Sequence, residues 1–261
     1  MSFFNTLGRS MGRKGSTPTT PTAEASQPQR KDIPRNQTGH HASTQGPSRG
    51  ELVTYAQPTQ PKLFLSRPFV DASLVKGSFK TLVALPKYLD VMEWVAFNMF
   101  DFYNNINTFY EAILERCDHK NCPTMTAGDQ LVYTWIDSNN KHVKLPAATY
   151  IDYVFTWIQA LLQDQSIFPT KAGLPFPPTF PATCKHMYRQ LLRVFAHMYQ
   201  AHFQDILHLR IEPHLNSLFA HYLAFGLEFD VLDKKELRGS PSNPTGIGFL
   251  YEMWKESGRL D

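Results

Sequence analysis

Apolar positions along this chain fall into two regimes. Before about residue 62 they are sparse and without period; from Leu63-Phe64-Leu65 onward they are dense and recur at helical steps. Between Asp90 and about Cys117, the residues Val95, Met99, Phe102, Ile106, Phe109 and Ile113 repeat at intervals of four and three, which marks one buried helix face. Asp90 followed by Glu93 is a capping signal for the start of that helix. Thr149 and Asp152 predict a second helix in the same way, running to near Asp164 with Ile151, Val154, Phe155, Ile158 and Leu162 inward. A third is predicted from about Thr183 to Phe203 on Met187, Leu191, Phe195 and Met198. A fourth runs from Pro213, suited to a first helical turn, to about Phe229. Four long helices predict an all-α protein with a four-helix bundle core and short flanking helices.

The connections carry their own signals. Tyr133-Thr134-Trp135-Ile136 and His142-Val143-Lys144-Leu145 flank Asn139-Asn140 and predict a small β-hairpin. Proline at 169, 175, 177 and 178 makes an extended link between the second and third helices. Beyond Leu237 a loop, Arg238-Gly239-Ser240-Pro241-Ser242-Asn243-Pro244, precedes the apolar run Phe249 to Trp254, which predicts a short terminal helix packed back on the bundle. No internal repeat interrupts this order.

Composition divides the chain at the same place. Residues 1–62 are rich in Ser, Thr, Pro, Gln and Gly, a composition that cannot build a core and predicts a disordered tail, leaving 63–261 as the folded domain. The tail holds eight basic residues against three acidic ones, a net of +5, so the remainder carries −2 of the chain's +3. The basic balance therefore belongs to the tail, and no nucleic-acid-binding face is expected on the folded part. Thr17-Pro18, Thr20-Pro21 and Ser16 beside Arg13-Lys14 make the tail an expected phosphorylation target that the fold does not need. No run is long and apolar enough for a membrane span, Ser2 in place of Gly argues against myristoylation, and the start has no secretory pattern. An intracellular protein is expected. Three cysteines do not suggest a disulfide framework, and Cys184 reads as a small buried hydrophobe.

Two of the cysteines carry the main chemistry. Cys117 and Cys122 stand five apart, as do His197 and His202; two thiolates and two imidazoles are the donor set of a closed tetrahedral zinc site. Some 74 residues separate the pairs, far more than in a zinc finger, so only tertiary folding can unite them. The other reading of the spacing alone is two buried thiols and two satisfied helix histidines. At five residues apart the histidines lie roughly 140° around an ideal helix, so a shared ion requires the helix to bend or end between them.

The runs LVKGSFKTLVALPKYLDVMEW, DFYNNINTFYEAILERC, CPTMTAG, YIDYVFTWIQ, FPTKAGLPFP, RVFAHMYQAHF and EPHLNSLFAHY, in this order, resemble the Mob (phocein-like) family of kinase coactivators over about residues 63–237. The start MSFFN, the element FLSRPFV and LVKGSFK are most similar to the fungal Mob-two subgroup, partners of NDR-type kinases. The resemblance implies a helical bundle without catalytic activity and a structural zinc on Cys117, Cys122, His197 and His202. It implies a kinase-binding surface at Asp90, Glu93, Trp94 and Asp101, facing the basic N-terminal regulatory region of an NDR/LATS-type serine/threonine kinase, where paired charges steer association. Each of these four also has a plainer role open to it: helix cap, core aromatic or solvated charge. Arg189 and Arg193 match two of three basic positions that bind phosphorylated motifs in a sister subgroup, while Gln190 replaces the third; structural ion pairs are the competing role for the two arginines. The implied function is activation of such a kinase in cell polarity, morphogenesis or cell separation, in the cytoplasm, in the nucleus or at sites of growth and division, with a phosphopeptide-binding adaptor as the alternative. An enzyme is disfavoured because a Cys₂His₂ ion has no open position and HExxH, GxSxG and Walker patterns are absent.

Overall fold

The computed structural model describes residues 62–261 except Ala172; the expectations for the tail lie outside the described residues. The fold begins with short 3₁₀ turns at Leu63–Leu65 and Phe69–Asp71, then α1 (Phe79–Val83) and α2 (Val91–Ile113). Four two-residue strands follow, β1 (Met125–Thr126), β2 (Val132–Tyr133), β3 (Trp135–Ile136) and β4 (His142–Val143). The remaining helices are α3 (Ala147–Gln163), α4 (Phe180–Ala201), α5 (Phe203–His208), α6 (Glu212–Glu228), α7 (Lys234–Arg238) and α8 (Gly246–Glu256). The long ones, α2, α3, α4 and α6, form the bundle.

α2 starts where its sequence says, because the Asp90 carboxylate accepts from the backbone N–H of Met92 and Glu93 and so satisfies two of the free amides of a helix start. Its buried face is Val95, Asn98, Met99, Phe102, Ile106, Tyr110 and Ile113. α3 begins two residues before the expected Thr149. Pro146 precedes its first turn without a side-chain cap, and Thr149 Oγ1 instead lies 3.3 Å from His119 Nε2. The hairpin around Asn139-Asn140 forms as β3 and β4, with Trp135 opposite Val143 and Ile136 opposite His142. Tyr133 belongs to a separate antiparallel pair, opposite Met125 of β1.

The bundle centre is aromatic. Tyr188 of α4 and Tyr222 of α6 stack at 3.9 Å, 11° from parallel, and each hydroxyl donates to the other's backbone carbonyl. Phe102 of α2 meets both edge-on, a geometry that brings ring edges to ring faces. Such contact between α4 and α6 needs Gly226: a Cβ there would sit 2.7 Å from a Tyr188 ring carbon and 2.8 Å from Leu232 Cβ. The C-terminal run forms α8 and packs back as expected. Trp254 is buried and its indole N–H donates to Val70 O at 2.9 Å, while the Arg259 guanidinium bonds the carbonyls of Val70 and Ala72. Among the described residues no helix is long and apolar enough to cross a membrane.

Candidate metal centre and binding surfaces

α2 ends at Ile113, and the chain turns so that Cys117 N–H still reaches Ile113 O at 3.2 Å. The next loop folds over Asp118, whose Oδ1 accepts from the amides of Lys120 and Asn121 and whose carbonyl accepts from Cys122. Both thiols thereby face one end of α4. α4 stops at Ala201, and His202 leaves the helix at φ −123°, ψ 13°, the break that the five-residue spacing requires. The two imidazoles then lie 5.2 Å apart between ring centres.

All four side chains are buried, and their ligand atoms lie within 4.8 Å of one another. Cys117 Sγ is 3.5 Å from His197 Nε2 and Cys122 Sγ 3.4 Å from His202 Nε2. A tetrahedral ion with sulfur and nitrogen bonds of about 2.3 and 2.1 Å has ligand-to-ligand edges of about 3.3–3.8 Å, so these two edges already fit a metal. The outer nitrogens are fixed too. His197 Nδ1 lies 2.9 Å from Thr126 O and His202 Nδ1 3.1 Å from Asp205 Oδ2; a carbonyl and a carboxylate can only accept, so both Nδ1 atoms carry the proton and both Nε2 lone pairs turn inward. Backing of this kind orients histidine ligands. Without an ion, burial pushes the Cys117 thiol up to about 12 and raises Cys122, and it pushes His197 down to about 4. The neutral imidazole is ready to ligate; the thiols must release protons to do so. The Tyr110 hydroxyl, buried beside Cys117, lacks hydrogen-bond geometry to it. The four residues therefore form one Cys₂His₂ cluster able to hold a metal ion, and β1, unseen in the sequence, supplies the carbonyl that orients His197.

The candidate kinase-binding residues cap or line the first half of α2, in two settings. Asp90 and Glu93 are exposed. Trp94 is half-buried, donates from Nε1 to Val83 O at 3.1 Å and stacks on Phe97 at 5.9 Å. Asp101 is also half-buried, and burial raises its pKa. Sequence reasoning missed the aromatics beside them: Phe97 and Phe100 expose about half their surface, and Tyr88, in the loop before α2 at φ +69°, is 99% exposed. Glu93, Phe97 and Phe100 fall within about 60° of the helix circumference. The signal was available, since Phe97 and Phe100 are apolar residues out of register with Val95, Met99 and Phe102.

Arg189 and Arg193 face the segment around α7. Arg189 Nη2 lies 3.2 Å from Asp233 Oδ2 and Arg193 Nε 2.6 Å from Glu236 Oε1. Gln190 Oε1 accepts from the Tyr150 hydroxyl, which also receives Arg193 Nη1 at 2.8 Å.

A helical bundle stapled at one end by a buried Cys₂His₂ cluster defines the architectural class, and sequence comparison assigns the family. The Mob1/phocein family model matches residues 71–240. The chain is 49% identical over 191 residues to the maintenance of ploidy protein mob2 of Schizosaccharomyces pombe, covering 72% of this chain and 78% of that one. It is 42% identical over 238 residues to the CBK1 kinase activator protein MOB2 of Saccharomyces cerevisiae, covering 91% and 80%. To the protein of the same name in Candida albicans it is 46% identical over 200 residues, covering 77% and 62%. The chain belongs to the Mob1/phocein family.

Proposed function

We propose that this chain is a non-catalytic activating subunit of an NDR/LATS-type serine/threonine kinase, docking the kinase's basic N-terminal regulatory region on the first half of α2. The observation that carries the reading is the exposed row Glu93, Phe97 and Phe100, continued by Tyr88, where aromatic anchors stand beside acidic groups. Apolar anchors supply affinity to an amphipathic segment and the acids steer a basic one. The names of the Saccharomyces and Candida relatives as kinase activators support it. The Cys₂His₂ cluster holds a structural zinc ion, closed to substrate because all four positions are filled by the chain. Roles in cell polarity, morphogenesis or cell separation follow from such a partnership, with the protein in the cytoplasm or nucleus and at sites of growth or division.

The test is titration with the N-terminal segment of an NDR-type kinase. Glu93→Lys places like charges together at an exposed site, so it lowers the association rate and the affinity with little change in melting temperature. Asp101→Lys, half-buried, mixes binding with stability and is the weaker probe. Raising salt from about 0.05 to 0.5 M slows association as the Debye length shrinks. Wild-type binding in Glu93→Lys with salt-independent association places the kinase elsewhere.

A second reading, a phosphopeptide-binding adaptor, is favoured by a row of cations on α4 that includes Arg189, whose buried Nε has no hydrogen-bond partner.

A further inference from the structure

α4 carries Lys185, Arg189 and Arg193 four residues apart, one helical face. Opposite them, the chain leaving α6 carries Asp230, Asp233 and Glu236 three apart. They pair rung by rung: Lys185 Nζ to Asp230 Oδ2 at 2.7 Å, Arg189 Nη2 to Asp233 Oδ2 at 3.2 Å, Arg193 Nε to Glu236 Oε1 at 2.6 Å. The rungs are not equal. The Arg193–Glu236 side chains are 19% exposed each, and Arg193 is also held by the Tyr150 hydroxyl and lies 4.7 Å from the centre of the Tyr133 ring. The Lys185–Asp230 pair is 49% and 91% exposed, and ion pairs in water hold weakly. The middle rung uses one guanidinium nitrogen of Arg189 and leaves its buried Nε without an acceptor.

We propose that Asp230 and Asp233 are an internal stand-in for a phosphorylated peptide: they occupy Lys185 and Arg189 in the resting protein and are displaced when a phosphoserine or phosphothreonine segment binds there. The inference rests on the phosphopeptide reading above and adds its regulation. Lys185 supplies the cation that Gln190 does not. A phosphate monoester brings a charge near −2 and three acceptor oxygens, enough to bond the arginine fork on two nitrogens and give Nε its missing partner. A peptide is the fitting occupant because the present occupant of Lys185 and Arg189, about 6 Å apart along α4, is itself a peptide segment with acids in step. The inner rung stays closed and keeps α7 in place.

Two substitutions remove the strap's charge while keeping its shape. Asp230 sits at φ +52°, a region asparagine tolerates well, and Asp233 caps α7 through Oδ1, accepting from Lys235 and Glu236 amides, which an asparagine carbonyl also does. The full chain, the Asp230→Asn/Asp233→Asn variant and a Glu115→Gln/Glu256→Gln variant of equal net charge are titrated with a phosphothreonine peptide mixture, degenerate at flanking positions, and with its unphosphorylated counterpart. The strap variant binds the phosphorylated mixture about three- to tenfold tighter than the other two proteins, and adding Arg189→Gln removes the gain. Equal phosphate-dependent binding by all three, or a gain that survives Arg189→Gln, overturns the strap and leaves the phosphopeptide reading standing. Absence of phosphate-dependent binding in every protein removes that reading and the strap together.

Discussion

His221 is half-buried, and its enclosed Nε2 finds no hydrogen-bond partner among the described residues; its ring lies 5.0 Å from that of Phe102 and 6.5 Å from that of Phe225. Burial pushes its pKa down to about 4. The unfolded chain takes up this proton at about 6.5, so stability is intact above that pH and falls as the pH drops from 6.5 toward 4. The loss approaches about 3 kcal/mol for this one group. Urea unfolding at pH 7 and pH 4.5 checks it: the decline is shallower in His221→Phe than in wild type, and equal declines assign acid sensitivity to other groups. Single residues were unevenly legible in the sequence. Cys117, Cys122, His197 and His202 announced a donor set by type and spacing, and the structure gathers them. Thr126 and Asp205, which orient the histidines, gave no signal, because a carbonyl on a two-residue strand and one aspartate among many have no pattern. Arg193 was readable either as a phosphate-binding charge or as a structural ion pair, and its partners Glu236, Tyr150 and Tyr133 are ones that only folding brings near.

Elements were most legible where two independent signals agreed. α2 had both a cap, Asp90, and a stripe, and its start was right; α3 had a stripe but a misleading Thr149, and its start was misplaced by two residues. β1 pairs only Met125 and Thr126 with β2, too short for alternation to show. α8 was readable as an apolar run, yet what it covers was not: Trp254 reaches Val70, 184 residues earlier. That contact makes α8 the clamp on the turn at Phe69–Asp71. Trp254→Ala is expected to cost about 3–5 kcal/mol and to speed amide exchange at residues 70–72 ahead of the bundle centre. Unchanged protection there would mean that Arg259 alone holds the turn through its two carbonyl bonds.

At the scale of the whole molecule the Cys₂His₂ cluster brings the chain just beyond α2 against the end of α4, and the binding energy of an ion held there would be folding energy. Purified protein is expected to carry about one zinc per chain. Chelation lowers the melting temperature, Cys117→Ser or His202→Ala lowers it comparably, and chelator has little further effect on either variant. Melting that ignores both chelator and substitution, with no zinc by metal analysis, assigns the fold's stability to the aromatic core alone.

The ligand pairs also have a topological meaning. Cys117 and His197, like Cys122 and His202, are 80 residues apart, so an ion bound to them closes a ring that contains all of α3 and most of α4. Closing so long a loop costs only slightly more than closing a short one. The exposed link at Gly173 and Leu174 lies inside that ring. With the proposed ion bound, a protease that nicks it would leave an amino-terminal piece holding the thiolates and a carboxy-terminal piece holding the imidazoles, two fragments cross-linked through one shared ion as well as packed through the common core.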